Sequence, residues 1–137
     1  MRMNQVTLAV EDFDEAVAFY KAWGLKLIVS SKGMYARFEN LSDLSTLSIH
    51  LSDRPLRSST ILYFEVEDVE TAVDQLAASG ITPVSGPDKK SWRWTEARYR
   101  DPSGNELCVY AAGEDRRFPP WRLSDAGDVH KVIKGCR

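Results

Sequence analysis

Arg37 and Arg98 stand in the matched settings Ala36-Arg-Phe38 and Ala97-Arg-Tyr99. A guanidinium fork grips a carboxylate through two parallel hydrogen bonds, so two such arginines in one hollow would suit an anionic ligand. Each could equally pair with a neighbouring acid, Glu39, Glu65 or Glu96. Trp92 and Trp94 precede Arg98 by even spacings, which puts all three in one strand phase. Tryptophan offers a large flat wall with one polar handle, and the competing use is core or subunit packing. His50, Tyr63 and Glu65 are groups able to move a proton. Cys108 is a nucleophile only beside a base, and His50 is read at the matching place in the other half of the chain. No phosphate-cradling loop, G-x-S-x-G elbow or Cys-x-x-Cys pair occurs. His130 is isolated in the tail.

What must position these groups is a repeat. Gln5–Ile28 lies over Ile61–Val84 without gaps, and Val10/Val66, Glu11/Glu67, Asp12/Asp68, Ala16/Ala72, Val17/Val73 and Gly24/Gly80 are identical pairs. In each copy an alternating strand leads to an aspartate N-cap, an amphipathic helix and a glycine stop. Glu15 completes a capping box with Asp12, and Thr71 replaces it in the second copy. Strands are expected over 25–30, 34–39 and 46–51, and again over 81–84, 94–100 and 106–111. Asp101-Pro-Ser-Gly-Asn105 is a strong turn. The pattern is βαβββ twice, in modules 4–51 and 60–111 of a domain spanning 1–112. Residues 52–59 are the linker. Residues 113–137 form a C-terminal arm around Phe118-Pro-Pro-Trp121, whose end is expected to fray.

One strand phase is apolar and should meet the helices: Leu8/Val10, Ala36/Phe38, Ile49/Leu51, Phe64/Val66, Ala97/Tyr99 and Leu107/Val109. The other carries Gln5, Thr7, Arg37, His50, Ile61, Tyr63, Glu65, Arg98, Cys108 and Tyr110. A polar pocket lined from both modules is the preferred reading over a merely solvated face. With 137 residues, 43% of them hydrophobic, the chain can bury a core without a metal or disulfide. A formal net charge of −2 argues against nucleic acid as the main partner. No run spans a bilayer and no secretory leader is read. Cys108 and Cys136 do not form a disulfide framework, so a reducing cytoplasmic location is expected.

The duplicated strand–Asp–helix–Gly unit and the late D-P-x-G-N turn resemble the vicinal oxygen chelate superfamily, the glyoxalase I, bleomycin-resistance and extradiol-dioxygenase group, over roughly residues 4–112. The resemblance implies an α+β fold in which two βαβββ modules make a curved, open, barrel-like mixed sheet around a central cleft. It also implies a homodimer. Metal-dependent members hold a divalent ion through the first and last strands of each module, which on this chain gives Gln5, His50, Ile61 and Cys108. Isoleucine cannot ligate, and Cys108 stands where the family usually carries glutamate. The only in-phase carboxylate singled out near Ile61 is Glu65, some 13 Å away at ~3.3 Å per residue.

The expectation is therefore a small-molecule-binding protein without catalytic metal, taking a carboxylate-bearing or aromatic ligand through Thr7, Arg37, His50, Tyr63, Trp92, Trp94, Arg98 and Tyr110. One alternative is a metal-dependent lyase, isomerase or dioxygenase of the lactoylglutathione-lyase type using Gln5, His50 and Cys108. Another is a dimeric interaction module using the arm.

Overall fold

The structure is a computed structural model and describes residues 1–54 and 58–124. The first module runs β1 (Gln5–Val10), α1 (Phe13–Trp23), β2 (Lys26–Ser31), β3 (Tyr35–Glu39) and β4 (Thr46–Leu51). The second runs β5 (Ile61–Glu65), α2 (Val69–Ala78), β6 (Ser85–Lys89), β7 (Thr95–Arg100) and β8 (Glu106–Ala111). Each module forms a four-stranded mixed sheet, ordered β1-β4-β3-β2 and β5-β8-β7-β6. The parallel pair in each joins its first and last strands. α1 packs on β2, β3 and β4, and α2 on β6, β7 and β8. The same βαβββ order thus yields the same sheet twice.

Local chemistry explains the helix ends. Asp12 is extended, and its carboxylate accepts from the Glu15 amide at 2.9 Å. Asp68 accepts from the Glu70 amide, and the Thr71 hydroxyl donates to it at 2.8 Å. Thr71, which removes the capping box, therefore supplies a bond of its own. That hydroxyl, opposed by desolvation and helped by the backbone amides, holds the Asp68 carboxyl below its usual range. Gly24 ends α1 at φ 112, a left-handed conformation that favours glycine.

The apolar phase faces inward as the alternation requires. Leu8, Val10, Ala36, Phe38, Ile49, Ala97, Tyr99, Leu107 and Val109 form the buried core with Ala16 and Tyr20 of α1 and Val69 and Leu76 of α2. Phe64 and Val66 are half-buried against it.

One strand is displaced from its expected position. Residues 81–84 are not a strand, and β6 is instead Ser-Gly-Pro-Asp-Lys. β6 is an edge strand whose pairing with β7 shifts between Ser85 and Asp88, so a missing proline N–H and a flexible glycine are tolerated there. Gly86 has φ 85, and a Cβ on it would stand 2.4 Å from the Glu96 carbonyl oxygen. Glycine is required there on both counts.

The modules are joined by α1 and by the turn after β7. Trp23 stands edge-on to Phe64 and to Tyr99, at 5.2 and 5.1 Å between centroids. The Asp101–Asn105 turn reaches back into the first module. Tyr20 donates to Asp101, the Asn105 amide donates to the Ala9 carbonyl, and the Glu11 amide donates to the Ser103 hydroxyl. No helix among the described residues is long and apolar enough to cross a membrane.

Candidate functional site

The two polar sheet faces differ. On the first, pairing aligns Thr7, Ser48 and Arg37 in one row and Ala9, His50 and Tyr35 in the next. Thr7 and Ser48 share a 2.6 Å hydrogen bond, Arg37 donates to the Tyr35 hydroxyl at 2.9 Å, and Thr46 donates to Gln5 at 2.8 Å. Bonds from Ser48 and then Arg37 lower the Tyr35 pKa. Gln5, Thr7 and His50 are exposed. The contacts of Thr7, Arg37 and Gln5 thus stay within the first sheet.

The second face is covered. Its rows are Tyr63, Cys108 and Arg98, then Glu65, Tyr110 and Glu96. Cys108, Glu96 and Tyr110 are buried. Trp94 stacks on Tyr110 at 4.5 Å between centroids, and Tyr63 meets both rings edge-on at 6.2 and 5.7 Å. Such pairs contribute about 0.5–1.5 kcal/mol each beyond the area they bury. Arg98 lies over the Tyr63 ring at 5.8 Å.

Beneath this aromatic group is a carboxylate that the sequence reading counted only as a competing partner for arginine. The Glu96 side chain is 0% exposed. Its Oε2 accepts from Arg98 Nε and Nη2 at 3.2 and 3.0 Å, and its Oε1 accepts from Trp92 Nε1 at 3.0 Å. A buried carboxylate persists only with such charge-assisted partners. Burial works against the Arg98 charge, but Cys108, Glu96 and Tyr63 more than offset it and raise the Arg98 pKa. Arg98 keeps a quarter of its side chain exposed and spends Nε and Nη2 on Glu96, so its Nη1 edge carries neither of those bonds. Even spacing from Arg98 was the signal available for Glu96.

Both tryptophans reach this face, though strand alternation is not the reason. β7 starts at Thr95, and Arg93 has φ 75, so Trp92 arrives from a turn. Glu65 lies 3.9 Å from Arg116, and Arg93 lies 3.1 Å from Asp115. These pairs tie the 3-10 turn Gly113–Arg116 back onto its own module. Phe118 is flanked by Arg117 and Arg122 at 5.2 and 4.6 Å. Cys136, His130 and the end of the arm lie outside the described residues.

Register corrects the pairing of His50 with Cys108. In the parallel ladders Thr7 faces Ser48 while Tyr63 faces Cys108, and Ala9 faces His50 while Glu65 faces Tyr110. The first-module partner of Cys108 is therefore Ser48, and His50 corresponds to Tyr110. Ile61 is aligned with Glu106, an in-phase carboxylate nearer than Glu65, but Arg100 takes it at 3.6 Å.

The four family positions make an incomplete donor set, since Ile61 offers no ligand atom. Gln5 accepts from Thr46, His50 is exposed on the first sheet, Ile61 has no donor, and Cys108 is buried opposite Arg98. Among the described residues no three His, Cys, Asp or Glu side chains gather. A hard cation that must also hold substrate oxygens needs a better set.

A cavity lies mainly on the opposite, helix-facing side of the sheets. It measures about 760 Å³ and takes in Tyr63 and Glu65, but none of Thr7, Arg37, His50, Trp92, Trp94, Arg98 or Tyr110. The chemistry-bearing groups gather on the second polar face, which we take as the candidate site.

A pair of βαβββ modules, each a four-stranded mixed sheet backed by one helix, defines a glyoxalase-type fold. Residues 2–109 match the model of the Glyoxalase/Bleomycin resistance protein/Dioxygenase superfamily, and the chain belongs to that family. It is 31% identical to the uncharacterized protein YraH of Bacillus subtilis (strain 168), over 80% of this chain and 98% of the relative. Among solved structures it resembles an integron cassette protein from the mobile metagenome of Halifax Harbour sewage outfall, with TM-score 0.69 and 16% identity over 80% of this chain and 97% of that one. It also resembles lactoylglutathione lyase from Agrobacterium tumefaciens, with TM-score 0.63 and 20% identity over 80% and 97%. At these identities the two structures show a shared fold.

Proposed function

We propose that the protein binds a small organic anion with an aromatic or apolar body on the polar face of the second sheet, without a catalytic metal. The supporting observation is Arg98, braced by buried Glu96 and laid against Tyr63, beside the stacked Trp94–Tyr110 pair. A braced guanidinium is already oriented, so a carboxylate meets a fixed donor edge at reduced entropic cost. The stacked rings supply a flat wall for the body of the ligand. Ion pairs at Arg93 and Arg116 support the arm as a strap on its own module more than as a docking element.

The open first face favours a homodimer in this reading. A two-fold axis would set Thr7, Arg37 and His50 of one copy opposite the Arg98 face of the other, closing the cleft. A cytoplasmic binding protein fits the composition.

Tryptophan fluorescence titration with 1-naphthoate tests the ligand reading. Saturable binding weakened about tenfold by Arg98→Lys, which keeps the charge but loses the donor edge that Glu96 holds in place, is expected. Binding indifferent to that change overturns it. Stoichiometric zinc, nickel, manganese or iron in protein purified without chelator, lost on Cys108→Ser with the fold intact, would instead favour the metal-dependent lyase, isomerase or dioxygenase. Light scattering after gel filtration reads the dimer.

A further inference from the structure

The cavity on the helix side borders the Arg98 face through Tyr63 and Glu65 but takes in none of Arg98, Trp94 or Tyr110. It opens where the two modules meet, and Val6 and Leu62, matched positions of the repeat, line it with Leu47, Phe64, Leu76 and Trp23. Its volume of about 760 Å³ falls within the roughly 300–1,000 Å³ of small-molecule pockets. Val6, Leu62 and Phe64 are only half-buried, so a ligand there would cover apolar surface.

The charges around it have one sign. No lysine, arginine or histidine is among the lining residues, whereas Asp43 and Glu65 are. Glu65 is engaged by Arg116, while Asp43 receives the Ser45 amide and hydroxyl on Oδ1 alone. Gln75 adds a neutral amide on the α2 side. Apolar walls with an anionic rim select against carboxylates and in favour of an ammonium head on an apolar body.

We propose that this seam is a second binding site, for a small lipophilic cation, with a charge preference opposite to that of the Arg98 face. The apolar body would lie between the edge strands β1 and β5, and the ammonium would sit at Asp43.

Methyl NMR of the full chain, titrated with 1-naphthylmethylammonium and separately with 1-naphthoate, tests it. The cation is expected to shift the methyls of Val6, Leu47, Leu62 and Leu76, and naphthoate is expected to leave them unmoved. Leu62→Trp, which narrows the cavity at the seam, should weaken the shifts. Asp43→Asn, on an exposed loop, should weaken the cation about two- to fivefold without unfolding the protein. Arg98→Lys should change nothing at the seam, so failure here is distinct from failure of the anion site. Shifts confined to the Trp94–Tyr110 face, equal binding of both charges, or seam methyls that move with protein concentration in the absence of ligand would each overturn the proposal. The last result would mean that a second copy fills the seam.

Discussion

The Tyr20 hydroxyl donates to the Asp101 carboxylate at 2.7 Å, and both residues are buried. Tyr20 belongs to the helix of the first module and Asp101 to the turn before the last strand of the second, so one bond ties the halves together. Asp101 is also held by the amides of Ser103 and Asn105 and by the Asn105 side chain. The D-P-S-G-N turn is thus a clamp between modules. Tyr20→Phe should leave the fold intact and cost about 1–3 kcal/mol, read as a lower urea midpoint with an unchanged m-value. An unchanged midpoint would show that the clamp carries no net stability.

The same hydroxyl sets a response to alkali. Burial, and then the Asp101 charge, raise the Tyr20 pKa above its ordinary 10.0, and burial raises that of Tyr99. A raised folded pKa gives stability that is fully present below the unfolded value and lost as pH rises above it, because the unfolded chain releases the proton first. Stability should therefore be flat through neutral pH and fall above about pH 10, by about 1.4 kcal/mol per pH unit for Tyr20, with Tyr99 acting in the same direction. Tyr20→Phe should remove one such contribution from the slope. An equal slope in the variant would assign the alkaline loss elsewhere.

Glu96→Leu would strand Arg98 and the Trp92 indole. Breaking a buried pair from one side costs about 3–5 kcal/mol, and the lower end applies because Arg98 can turn toward water. The thermal midpoint should drop, and naphthoate affinity should fall with it. Glu96→Gln keeps the shape and the Trp92 bond, so it should keep more stability than affinity. Loss of both in equal measure would make Glu96 a purely structural residue.

Gly86→Ala places a methyl against the Glu96 carbonyl at a positive φ. The strand would have to shift, at about 1–3 kcal/mol for overpacking with backbone strain added. Circular-dichroism melting checks it. Gly33→Ala, at positive φ in open space, is the control for conformation without contact and should cost less.

Much of the architecture is local information. Alternation in QVTLAV and ILYFE, the aspartate caps and the Gly24 stop act within a few residues, so they read correctly from the sequence. The repeat then implies that whatever one half builds the other builds too. β6 was missed because Ser-Gly-Pro-Asp-Lys has no strand periodicity and is held in place by β7 alone.

What only tertiary structure decided is register, burial and which side of a sheet becomes hollow. Alternation tells which face a residue occupies but not which residue stands beside it. Ser48, not His50, therefore came to match Cys108 once the parallel ladders were in place. Glu96 is charged and sequence alone would leave it in water, yet Arg98 and Trp92 bury it. Long-range hydrogen bonds and packing fix these relations, and they join residues whose separation along the chain carries no periodic signal.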